Sequence, residues 1–226
     1  MSHDSQSTKL ANIAKKINER HSGYLDTLKQ GYSELERDDF IWHFLLQSFS
    51  TMGRSSGWKG LIGNKDNYNR ITFQALSKHD AVTREKTVKY VCRTAKVRMP
   101  DKKAQYILGC YDLVTKLGGL KATKSMLLAE PGREAKIKFL KQFPGIGPKY
   151  ARNIMMDVYH EDFRDSIAID ARIKAISETL GLSFRKYEEH EKFFQDVASK
   201  AGLNGWELDR LMYNFRDDFE RGITNA

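Results

Sequence analysis

Phe143-Pro144-Gly145-Ile146-Gly147-Pro148-Lys149-Tyr150-Ala151-Arg152 reads as a glycine turn clamped between two helical segments. Upstream, Ile137, Phe139, Leu140 and Phe143 supply apolar residues at helical spacing; downstream, Ala151, Ile154, Met155 and Val158 fit i, i+3, i+4, i+7. The turn therefore joins two short packed helices. Gly145 and Gly147 allow backbone angles that a Cβ would obstruct, and Pro148 brings the fixed φ suited to a first helical position. The amide of Gly147 and those of the next helix's first turn are then left unpaired, apart from Pro148, which has none. Such a helix start suits a phosphate.

Moving outward, Ser166-Ile167-Ala168-Ile169-Asp170-Ala171-Arg172-Ile173 sets Asp170 between an apolar run and a new helix. Ile173, Ile176 and Leu180 follow at i, i+3, i+7, so Asp170 is expected as a helix N-cap. About ten helical residues from Lys149 advance roughly 15 Å. The ten or so residues from His160 to Asp170 extend up to roughly 33 Å, enough to bring Asp170 back beside Lys149.

A chain of 226 residues, 40% of them hydrophobic, buries a core and suits one large or two small domains. Thirty-eight Lys and Arg against 29 Asp and Glu give a net charge of +9, which favours a polyanionic partner. Cys92 and Cys110 each sit in an apolar helical pattern and are expected as reduced core residues. Six scattered histidines show no metal-ligand spacing. No stretch is apolar for long enough to span a membrane or act as a secretory signal, so the protein is expected to be intracellular. Neither a solenoid period nor a low-complexity tract appears.

Helical patterns run along the whole chain. Leu10, Ile13, Ala14 and Ile17 mark a first helix, and Tyr24, Leu25 and Leu28 restart it after Gly23. Asp38 or Asp39 is expected to cap a more apolar helix through Ile41, Phe44, Leu45 and Ser48, central to the core. Residues 50–63, rich in glycine and small polar residues, read as a loop that carries Trp58 and cations. Asp101 is expected to cap a helix with Ala104, Ile107, Leu108 and Tyr111 on its stripe, ended by Gly118 and Gly119. The last helix starts near Trp206, with Leu208, Leu211, Met212 and Phe215 apolar; Asp209 and Tyr213, four apart, share a face off that stripe. No segment alternates as a strand does, so the fold is all-α.

The turn at 143–152 followed by Asp170 resembles the helix-hairpin-helix DNA glycosylase superfamily, named for a hairpin followed by a Gly/Pro-rich stretch and an aspartate. The resemblance implies two helical lobes with a cleft between them: a central bundle over 38–159 ending in the hairpin, and a second lobe from 1–37 and 160–226. It implies that Gly145 and Gly147 hold a DNA phosphate through their amides, with Arg152 as an auxiliary cation. A lysine at the position of Lys149 marks bifunctional members, which form a Schiff base and eliminate the 3′ phosphate; Asp170 would stabilise the cationic sugar. Thr51, Met52 and Arg54, just after the second helix, are wedge candidates by position, and an ordinary solvated turn is the alternative. Some relatives carry an iron-sulfur cluster held by four thiolates; two cysteines are too few, so no cofactor and no metal are expected.

Two further segments are similar to the archaeal-type 8-oxoguanine glycosylases and their bacterial relatives. Arg98, Lys103-Ala104 and Tyr106-Ile107 follow a recurrent pattern, and Leu208-Asp209-Arg210-Leu211-Met212-Tyr213 is similar to a Leu-Asp-x-Leu-Leu-Trp segment. The latter implies that Asp209 binds the base and Tyr213 stacks on it, with Trp58 covering the other face; inter-lobe or core packing is the alternative for both aromatics. Tyr213 stands where a tryptophan is expected, which leaves base preference open. The resemblance thus implies a bifunctional base-excision glycosylase, monomeric, acting on duplex DNA that contains a damaged base, 8-oxoguanine first, with no membrane partner. Two alternatives stay open: the same fold acting on an oxidised pyrimidine, uracil or alkylated purine, and a hairpin DNA-binding module without catalysis.

Overall fold

A computed structural model describes residues 3–52 and 56–225. Among them there is no strand. The helices are α1 (His3–Arg20), α2 (Tyr24–Lys29), α3 (Phe40–Thr51), α4 (Ser56–Leu61), α5 (Lys65–Arg70), α6 (Phe73–Ser77), α7 (Ala81–Thr94) and α8 (Pro100–Lys116). They continue with α9 (Leu120–Ala129), α10 (Gly132–Leu140), α11 (Pro148–Met156), α12 (Ala171–Thr179), α13 (Tyr187–Ala201), α14 (Gly205–Asn214) and α15 (Arg216–Thr224). The chain divides into two compact units, one of Glu34–Ile154 and one of Met1–Ser33 with Met155–Ala226. No helix of the described residues is long and apolar enough to cross a membrane.

In the unit Glu34–Ile154, α3 is buried along most of its length and packs against α4, α8 and α9. Phe40, Trp42, Phe44, Leu45 and Phe49 fill the centre, and the Trp42 indole donates to Ile71 O at 2.7 Å. Asp39 stands at the N-cap, but its carboxylate does not cap the helix. It accepts from Arg37 Nε and from the Tyr68 hydroxyl, each at 2.8 Å, because a charge-assisted bond outcompetes the cap. Asp101 likewise lies inside the first turn of α8 and pairs with Arg93 at 2.8 Å.

Residues 56–61, expected as loop, form α4. Its glycines hide it from a propensity argument, yet they are what lets it pack. A Cβ on Gly57 would lie 2.3 Å from Ser50 O, and one on Gly60 would lie 2.1 Å from Ala95 O. Two glycines one turn apart thus bring α4 down onto the ends of α3 and α7.

In the other unit, α1 lies along α13 and α15, while α14 touches α1, α2, α12, α13 and α15. A capping box starts α14: Asn204 accepts from Glu207 N, and Glu207 Oε2 accepts from Asn204 N, both at 2.9 Å. The final pattern contains a second helix that the periodicity did not separate. Phe215 ends α14, and α15 continues with Phe219 and Ile223 as its buried stripe. The thiols of Cys92 and Cys110 are free and buried, and burial pushes the Cys92 thiol up to about 12.

Candidate functional site

The hairpin turn rests on α8. Tyr106, Gly109 and Cys110 recur at i, i+3, i+4 and so present one face to it. Gly145 has φ of 83°, and a Cβ there would sit 2.5 Å from Tyr106 Cδ2. Gly109 meets Pro144 in the same way, with a Cβ only 2.9 Å from Pro144 Cγ, and Cys110 Sγ donates to Pro144 O at 3.6 Å. Inside the turn Ile146 N donates to Phe143 O at 3.0 Å, and the Phe143 and Ile146 side chains are buried. The first α-helical bond of α11 runs from Ala151 N to Gly147 O at 3.0 Å.

Gly147 behaves differently from its expected role. Its φ is not positive, and a Cβ there would have nothing within 4 Å. Neither backbone strain nor internal packing demands glycine at this point. What the missing side chain does is leave the start of α11 open to whatever approaches from outside. Lys149 lies in that first turn, half-buried, with Nζ 4.1 Å from the centroid of the Tyr150 ring.

Arg152, expected as an auxiliary cation for the phosphate, is buried. The guanidinium is 3% exposed and donates to Pro148 O at 3.2 Å, one turn back along its own helix. It braces the turn from behind.

Asp170 is the N-cap of α12, as its spacing requires. Its Oδ1 accepts from Arg172 N at 2.8 Å and Ile173 N at 3.1 Å. Among the described residues, Oδ2 has no hydrogen-bond partner. The approach to Asp170 is irregular and buried from Ser166 to Ile169. With no strand beside it, its amides must find side chains. Ile167 N donates to Glu191 Oε1 at 3.1 Å, Ala168 N to Asp209 Oδ1 at 2.8 Å, and Ile169 N to the Tyr187 hydroxyl at 2.9 Å.

Asp209, expected to share a face with Tyr213 off the apolar stripe, is 3% exposed and bound to Ala168 N, with Arg210 NH1 3.6 Å from Oδ2. Helical spacing puts Asp209 and Tyr213 on one side of α14, yet the packing of the Ser166–Ile169 stretch covers only the first of them. Tyr213 remains 47% exposed, and the Arg172 guanidinium carbon lies 3.9 Å from its ring centroid. Asp170, Arg172 and Tyr213 thus share one neighbourhood. Arg172, Tyr187 and Glu191 were missed from the sequence; only Arg172, two residues past the aspartate, carried a local hint.

Trp58 stands on α4, 42% exposed, because the flanking glycines turn their own face to α3 and α7. Thr51 ends α3, its hydroxyl returned to Gln47 O at 3.1 Å, and Met52 is its C-cap. Arg54 lies outside the described residues. A residue not foreseen is Met99, the N-cap of α8, which holds φ of 54° and an exposed side chain. Lys103, on the same helix, is 6% exposed and donates to the Met52 thioether. Burial, followed by the charges of Lys102 and Arg98, pulls its ammonium down to about 8.

No family model matches the sequence, and no curated protein matches it. Solved structures do. The 8-oxoguanine DNA glycosylase of Methanocaldococcus jannaschii is similar with a TM-score of 0.69 and 16% identity, over 96% of this chain and 97% of that one. The glycosylase/lyase of the same organism in complex with a 15mer DNA containing 8-oxoguanine gives 0.65 and 18%, over 92% and 97%. The 8-oxoguanine DNA glycosylase of Thermotoga maritima gives 0.64 and 16%, over 92% and 96%. At such identities the likeness shows the fold, and it extends along nearly the whole of both chains.

Proposed function

We propose that this protein is a base-excision-repair DNA glycosylase with AP-lyase activity, acting on duplex DNA with 8-oxoguanine as the first substrate to test. The observation that carries it is the start of α11, where Lys149 follows a turn in which Gly147 has no side chain and nothing within 4 Å of where a Cβ would stand, in a chain with the fold of 8-oxoguanine glycosylases. A phosphate approaching Gly147 meets no side chain there. That contact positions DNA without reading its sequence.

Lys149, as the neutral amine, attacks the anomeric carbon and displaces the base, which leaves with a proton. The sugar ring of the resulting aminal then opens, the C1′–O4′ bond breaking as C=N forms and O4′ taking a proton, and the Schiff base so formed permits β-elimination of the 3′ phosphate. Asp170, with Oδ2 available, stabilises positive charge on the sugar and assists the proton transfers. Trp58 and Tyr213 each offer an exposed ring face, and stacking on such a face contributes about 1–3 kcal/mol per base contact. Met99 joins Thr51, Met52 and Arg54 as a wedge candidate, because it is the exposed apolar side chain of that group. No metal or cofactor is required by this chemistry. The working state proposed is a monomer without a membrane partner.

Tyr213, with Arg172 on its ring, favours a second reading in which the same fold excises another base: an oxidised pyrimidine, uracil or alkylated purine. Borohydride trapping of the wild type and Lys149→Ala on duplexes bearing each lesion, or an abasic site, tests both. An adduct formed by the wild type and lost in the variant establishes the nucleophile, and the most reactive duplex names the base. Absence of an adduct on every duplex, the abasic one included, rejects lysine chemistry and leaves monofunctional excision or a non-catalytic DNA-binding module.

A further inference from the structure

Helix α14 grips two segments at once. Near its start, the Trp206 indole donates to Met156 O at 2.7 Å, and Arg210 NH2 pairs with Asp157 at 2.8 Å, so the end of α11 is held by residues one turn apart. Between them in sequence, Asp209 turns to the stretch before Asp170 and takes the amide of Ala168. Burial alone would lower the charge affinity of Arg210; the carboxylates of Asp157 and Asp209 outweigh it and hold the guanidinium protonated.

From the neighbouring helix α13 come the other two acceptors. Glu191, 2% exposed, takes Ile167 N–H. The Tyr187 hydroxyl accepts from Ile169 N and donates to Ile167 O, both at 2.9 Å. Three successive amides therefore end on three side chains drawn from two helices. Burying two carboxylates is an expensive way to satisfy backbone, since a neighbouring strand or a looser loop would do so without desolvating charge. What the arrangement supplies is rigidity in a segment that has no ladder, directly before the cap residue whose second oxygen is left available.

We infer that Tyr187, Glu191 and Asp209 are positioning residues for Asp170, fixing where its Oδ2 stands through the backbone of Ile167, Ala168 and Ile169. The inference rests on the proposed function, in which that oxygen faces the sugar. A displacement near 1 Å in such a group is enough to cost about a hundredfold in rate.

The test is single-turnover excision by the full chain, enzyme in excess, on the duplex that the wild type processes best, at a temperature where every variant is folded. Binding to a duplex carrying a tetrahydrofuran abasic analogue is measured alongside. Tyr187→Phe should slow excision about tenfold and Asp209→Ala about a hundredfold, with duplex affinity within about twofold of wild type. Asp209→Asn, which retains an acceptor for Ala168 N–H, should recover most of the rate lost in Asp209→Ala. Variants that melt lower but excise at the wild-type rate overturn the inference and leave the three residues as scaffold. A loss seen in duplex affinity, with rate unchanged, overturns it as well. Failure of the proposed function would look different: the wild type itself would excise nothing from any duplex.

Discussion

The turn at 143–148 and the stretch at 166–169 are both irregular backbone leading into a helix, and they are enclosed to different degrees. The turn is packed from below by Tyr106 and Gly109 and left bare above Gly147. The stretch is enclosed, each amide from Ile167 to Ile169 ending on a buried or half-buried side chain. The first region leaves room beside Gly147 for an approaching group, and the second commits its amides to side chains and is built to hold still.

That contrast is most sharply broken at Asp209. Asp209→Ala leaves the Ala168 amide without its acceptor and Arg210 with Asp157 alone, and should destabilise by about 3 kcal/mol, the upper range for an unsatisfied buried donor together with a weakened ion pair. Chemical denaturation of both proteins measures it; a loss under about 1 kcal/mol would mean that water enters and the stretch is not enclosed.

On the other side of the comparison, Gly145→Ala should cost about 2 kcal/mol, from a left-handed φ together with a clash against the Tyr106 ring. The melting temperature reads it.

Next in size, Lys103→Met should stabilise by about 1 kcal/mol at pH 7, since it removes a buried ammonium that lies against the Met52 thioether and the Tyr106 ring. Because the folded state holds that proton less tightly than the unfolded chain, stability contributed by this group rises with pH between about 8 and the ordinary lysine value of 10.5. Denaturation midpoints across that window should rise in the wild type relative to Lys103→Met.

The smallest stability effect is expected at Gly147. Gly147→Ala should change stability by less than about 0.5 kcal/mol, the new methyl meeting nothing in the chain. Duplex affinity should nevertheless fall about tenfold, a loss near 1.4 kcal/mol, if a phosphate seats there. Unchanged affinity in a titration would show that the bare helix start is not where DNA is held.

Legibility differed in the same way. The hairpin could be read locally: glycine and proline state their backbone requirements within a few residues, and the apolar periodicity on either side marks the helices. Asp170 as a cap was legible for the same reason. Helix α4 was not, because its glycines argue against a helix until their close approach to Ser50 O and Ala95 O is seen. Nor could α15 be separated from α14, since the apolar stripe runs through Phe215.

By itself, the sequence determined the helical elements, the turn at Gly145 and the carboxylate that begins α12, each set by spacing and backbone preference over fewer than about ten residues. Only tertiary structure decided which charged groups face outward. Arg152 and Asp209 were drawn inside and Tyr213 left in solvent, because burial depends on what packs from 18 to 41 residues away, as Tyr187, Glu191 and Asp209 do on the stretch before Asp170. A local pattern states which side of a helix a residue occupies; it carries no information about what another helix or loop will lay across that side.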